Sequence, residues 1–202
     1  FLDPDFNNDR HLQNFRIHLS ERGRRYIEES GQYQPDDPDG YMHLLEERCA
    51  KLDALVKKYL QEAVLSYRAQ CYLASTVMLG CASEQVIVSL GDAFIVAMGD
   101  EVHQKFVDSF RSPRTKFSDK LSKLRDNLLP RKNGLPEPIQ GKFEQALHTM
   151  AEFIRLTRND AGHPTGVEMS GEQARINLTT AGFYFEVIEE LRAHFMSKAR
   201  DV

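Results

Sequence analysis

The sequence predicts an all-α protein: a bundle of four long helices plus a shorter basic one, preceded by a small mixed N-terminal segment. Three observations carry this. Beyond residue 40, apolar residues recur at three- and four-residue spacings with no strand-like alternation. Residues 72–98 draw 18 of their 27 positions from the hydrophobic set, as expected of a helix at the centre of a bundle. Helix start and stop signals punctuate the rest.

In order along the chain, residues 1–34 are polar and mixed. FRIHLSERGRRYIEE (15–29) reads as a short strand and then a helix starting near Ser20. The first residue is Phe1, not Met, so the chain is expected to be a trimmed piece, with this segment the tail of a truncated domain. QPDDPDG (34–40) reads as a turn or linker. Residues 1–40 are therefore set apart from a helical domain over 41–202.

Tyr41 to Tyr67 carries Leu45, Leu52, Val56, Tyr59 and Ala63 at helical spacing, with a break near Gln70 before the apolar helix 72–98. The piece 114–129 is amphipathic, with Phe117, Leu121, Leu124 and Leu128 on one face and Lys116, Lys120 and Lys123 on another. PRKNGLPEP (130–138) reads as a loop. A helix over 139–161 carries Phe143, Leu147, Met150 and Ile154. Gly162 suits its left-handed cap, and Pro164 prevents continuation. The last helix starts near Ser170, with Gln173 at the capping-box position.

Composition narrows the function. Charged residues make up 28% and the net charge is −4, which argues against an indiscriminate nucleic-acid binder. From Arg111 to Lys132, however, eight basic residues face two acids, a net +6 that leaves −10 on the rest. That local stripe points to an anionic partner. Cys49, Cys71 and Cys81 are odd in number and lack metal-ligand spacing, which suits buried thiols in a reducing cytoplasm. No apolar run is expected to reach bilayer-spanning length, so no membrane partner is expected. Glycine-rich phosphate loops, Gly-x-Ser-x-Gly elbows and Cys-x-x-Cys pairs are absent from the sequence, and no cofactor or metal is expected.

Several charged residues do not fit a simple bundle. Arg158 follows Ile154 by four residues, Met150 by eight and Leu147 by eleven, so helical phase returns it to the apolar stripe. A buried guanidinium needs a partner; taken alone, an arginine in a last helical turn also suits the dipole and can snorkel to water. Glu84 is the one charged residue between Tyr72 and Gly91. It either lies on a narrow solvent strip with Ser83 and Gln85 or reaches the Arg158 end of a neighbouring helix. His163, between Gly162 and Pro164, is favoured as imidazolium by the helix C-terminus and can turn back toward Arg158; an isolated loop histidine is more simply a solvated one. Glu144, His148 and Glu152 share a helix flank at ligand-like spacing, but a solvated face explains them more simply.

The order of helices, Glu84 in ASTVMLGCASEQVIVSL (74–90), and Arg158-Asn159-Asp160-Ala161-Gly162-His163 at the end of a core helix resemble the HEPN superfamily over about residues 45–199. The resemblance implies a homodimer acting as a metal-independent endoribonuclease, of the kind found in toxin–antitoxin and defence systems. It implies Arg158 and His163 as the catalytic pair, supported by Asn159, Asp160 and Glu84. Arg114, Lys116, Lys120, Lys123, Arg131 and Lys132 would then guide RNA, and a cognate antitoxin or other defence component would be a further partner. The alternative is a non-catalytic dimerisation or sensing module attached to another domain.

Overall fold

The computed structural model describes residues 2–5, 16–19, 32–49, 51–99, 103–155 and 169–199. It divides into two units, Phe1–Gln32 and Tyr33–Val202. In the first, β1 (Leu2–Asp5) pairs antiparallel with β2 (Arg16–Leu19), Leu2 opposite Leu19 and Asp5 opposite Arg16. The expected strand of 15–19 coincides with β2, whereas the helix expected from Ser20 lies outside the described residues.

The described residues of the second unit form helices and connecting turns. α1 (Pro38–Arg48) starts inside the stretch expected as a linker. Asp37 caps it, its carboxylate accepting from Gly40 N at 3.1 Å, and Pro38 suits the first turn, where no amide donor is needed. The division after Gln32 thus falls eight residues before the expected one after residue 40.

The single helix expected over 41–67 is two. α1 stops at Arg48 with Cys49 as its C-cap, and α2 spans Ala54–Arg68. Asp53 makes the difference: its side chain accepts from Leu55 N (2.8 Å) and Val56 N (3.4 Å), starting a new helix where the apolar spacing runs on unbroken. α2 ends at a tight reversal in which Gln70 takes a left-handed conformation (φ 61°). α3 (Tyr72–Met98) follows, over the expected range.

α3 is the central helix, packed against α2, α7 (Phe143–Arg155) and α8 (Gly171–Lys198). Leu79, Val86, Ile87, Leu90 and Phe94 are buried along it. Contrary to expectation, it is long and apolar enough to cross a bilayer, with a mean hydropathy of 1.4 over its best window. A core helix packed on several sides needs the same composition.

α4 (Gln104–Arg111) was not expected as a separate element. It lays Phe106 and Phe110 against the end of α3, Phe106 meeting Phe94 edge-on at 6.1 Å. Phe195 of α8 meets Phe94 edge-on at 5.2 Å, so one ring joins three helices. Gly91 permits the close approach of α4, since a Cβ there would overlap the Phe110 ring.

The basic helix is α5 (Phe117–Leu128). The expected loop beyond it is instead a 3-10 turn (Leu129–Gly134) and a one-turn helix, α6 (Glu137–Gln140). Prolines 130, 136 and 138 permit this, because the first positions of a helix need no amide donor. α7 is described as far as Arg155, so the expected extension to 161 lies outside the described residues. Ser170 and Gln173 form the capping box at the start of α8 as expected, with both reciprocal bonds at 3.1 Å.

Candidate anion-binding groove

α5 and α7 are both amphipathic, and each buries its stripe toward the bundle. Phe117, Leu124 and Leu128 point inward from α5, as do Leu147, Met150 and Ile154 from α7. The two helices leave a groove of about 910 Å³ between them. Phe117, Leu121, Leu147 and Ile154 form its carbon floor. Lys116 and Arg125 line it from α5, and His148 and Arg155 from α7.

The charges of the basic stripe are spent unevenly. Lys132 Nζ pairs with Glu144 Oε1 at 2.9 Å, at one edge of the groove. Lys123 Nζ donates to Ser109 Oγ of α4. Lys120 stands over the Phe110 ring at 5.9 Å. Arg131 lies over the Phe94 ring at 5.6 Å and donates to the Asn127 carbonyl at 2.9 Å. Arg114 is exposed, away from the groove lining. Of the six cations expected to meet RNA, Lys116 alone lines the groove. Arg125, Arg155 and His148 were not among them. Arg125 sits one turn past Leu121 and so shares its face, a spacing that was available in the sequence. Among the described residues, neither Lys116 nor Arg125 has an ion-pair partner. Arg155 is held by Glu152 at 2.9 Å.

Glu144 and Glu152, read from spacing as possible ligands beside His148, are thus each paired with a cation. Among the described residues no three His, Cys, Asp or Glu side chains gather as a metal site.

Arg158, Asn159, Asp160 and His163 lie outside the described residues. Glu84 is half-buried on α3, which packs against α7. Of the solvent strip considered for it, Gln85 is half-buried like Glu84, whereas Ser83 is fully buried, with Oγ donating to the Leu79 carbonyl at 2.8 Å.

The buried carboxylate that the sequence reading missed is Glu189 of α8. Arg192 meets it with Nε at 2.7 Å and a terminal nitrogen at 2.8 Å, a two-pronged pair. The same terminal nitrogen donates to the Lys51 carbonyl, tying α8 to the α1–α2 connection. Nearby, Arg48 pairs with Glu186 at 2.8 Å. Burial, with the Glu186, Glu189 and Glu190 carboxylates behind it, pushes the Cys49 thiol up to about 12. Burial also raises the Tyr33 and Tyr41 phenols. Tyr41 donates to the Leu178 carbonyl at 2.9 Å. This cluster is structural: it closes α1 onto α8.

Comparison with protein-family models, with curated proteins and with solved structures finds no match to this chain.

Proposed function

We propose that the chain is a HEPN-type helical bundle that acts as a homodimeric, metal-independent endoribonuclease in the cytoplasm, serving a defence or toxin system. The observation that carries this reading is the motif Arg158-Asn159-Asp160-Ala161-Gly162-His163, which follows α7 in the sequence. α7 is described as far as Arg155, three residues in sequence before Arg158, and it packs against α3, the helix that carries Glu84.

The residue types suit the chemistry. Cleavage without a metal needs a base to take the proton of a ribose 2′-hydroxyl. That oxygen attacks phosphorus, the 5′-oxygen leaves with a proton from an acid, and a 2′,3′-cyclic phosphate remains. Histidine titrates near neutrality and can serve either proton step. Arginine presents a fixed fork of donors to the phosphorane oxygens. Each protomer supplies one His163, so a dimer supplies two. Asn159 and Asp160 would orient this pair, and Glu84 would hold Arg158.

The test is incubation of purified protein with labelled RNA in EDTA, comparing wild type with Arg158→Ala and His163→Ala. Cleavage by wild type alone, giving cyclic-phosphate ends, supports the reading. No cleavage by wild type, or equal cleavage by all three, overturns it.

One observation favours a second reading, a non-catalytic dimerisation or sensing module. Lys120, Lys123, Arg131 and Lys132 are engaged within their own fold, which leaves few cations for a nucleic-acid backbone. That reading expects a stable dimer by light scattering and no RNA turnover.

A further inference from the structure

The groove between α5 and α7 is apolar along its floor and positive at its ends. Lys132 returns to Glu144, so the chain enters α7 at the end where it leaves α5 and the two helices run in opposite senses. One mouth therefore carries Lys116 with Arg155, and the other carries Arg125 with His148. Among the described residues Glu144 is the carboxylate in the walls, and Lys132 neutralises it. At 1.5 Å per residue, Lys116 and Arg125 stand about 13 Å apart along α5, and Glu144 and Arg155 about 16 Å apart along α7. That length matches roughly two to three turns of helix.

We infer that this groove docks an acidic amphipathic helix of a partner protein. Its apolar side chains, at i, i+3 or i+4, and i+7, lie along the half-buried Leu121 and Ala151, with Leu147 and Ile154 beneath them. Its flanking carboxylates meet Lys116 and Arg125. Charge complementarity selects this occupant: the floor rewards carbon, and the two cations at opposite ends reward anions on the flanks. A single nucleic-acid strand fits less well. Such strands are held by exposed aromatic faces and a continuous cationic track. Among the described lining residues the aromatic side chains are the buried Phe117 and the lone imidazole of His148, which make no row of stacking faces, and serines 118 and 122 stand between the cations of α5.

The experiment uses the full chain and two designed helical peptides of three to four turns. They share their leucine positions, with glutamates on the flanks of one and lysines on the flanks of the other. Binding is followed by fluorescence anisotropy at low and high salt and mapped by amide chemical shifts. The acidic peptide is expected to bind with shifts at Leu121, Ser122, Gln145 and Ala151, and to weaken about tenfold as salt screens its contacts. Arg125→Glu should weaken the acidic peptide and favour the basic one. Leu121→Ser should weaken both. Arg125 is exposed and Leu121 half-buried, so retained helicity by circular dichroism checks that both variants fold. Equal binding of the two peptides, no binding at millimolar peptide, or shifts elsewhere would overturn the inference. So would a short uridine RNA that shifts the groove residues while the acidic peptide does not. These readouts are independent of ribonuclease activity.

Discussion

Separating Glu189 from Arg192 should destabilise the protein unequally, depending on which partner is removed. The Glu189 side chain is 6% exposed and that of Arg192 is 16% exposed. A charge orphaned in a dry interior costs about 3–5 kcal/mol. Glu189→Gln orphans Arg192, which still donates to the Lys51 carbonyl and reaches some water, so a cost of about 2 kcal/mol is expected. Arg192→Met strands the drier carboxylate and removes the tie to Lys51, so about 3 kcal/mol is expected. In the double variant no charge is stranded, and it should recover about 1.5 kcal/mol against the sum of the singles. The assay is urea unfolding followed by far-ultraviolet circular dichroism, read as a midpoint shift at constant slope. Strict additivity, or a cheaper Arg192→Met than Glu189→Gln, would refute the burial argument.

The cysteines offer a second check. Under native conditions Cys71, which is exposed, should react with a thiol reagent well before Cys49, which is buried and becomes available only on unfolding. The Cys49 thiol ionises near 9 when unfolded and only near 12 in the fold. Above about pH 9 the unfolded chain therefore holds fewer protons than the native one, and stability falls by about 1.4 kcal/mol for each further pH unit up to about 12. Cys49→Ala should flatten that part of the alkaline denaturation curve, and an unchanged curve would contradict the assignment. Gly91→Ala pushes a methyl into the Phe110 ring and should lower stability by about 1–3 kcal/mol. Gly134→Ala meets nothing within 4 Å and serves as the control in the same thermal melts.

The elements most legible in the sequence were those whose signals are local. α3 declared itself by composition, and α8 by Ser170 and Gln173. The break between α1 and α2 was hidden because Leu45, Leu52 and Val56 keep helical spacing across it, while Asp53 acts through a hydrogen bond that periodicity does not register. α4 was missed although Phe106, Val107 and Phe110 share one face, because eight residues give that stripe a single repeat. In the groove, the basic stripe was countable, but the partners that use its charges belong to other elements: Ser109, Phe110, Phe94 and Glu144. Neighbours across the fold decide which cations remain available, and a one-dimensional count does not contain them. Glu189 was invisible for the same reason, since its burial depends on α1 and α2 lying over α8.

The central position of α3 also bears on how the chain is made. When this helix leaves the ribosome, α1 and α2 already exist, but α7 and α8, which cover its other sides, are still to be synthesised. For that interval a long, lipid-like helix is clothed on one flank only. Its sticky face must wait for more than seventy residues of later sequence. Such a nascent chain presents an attractive target for holding chaperones, and premature truncation after α5 should yield an aggregate instead of a smaller domain.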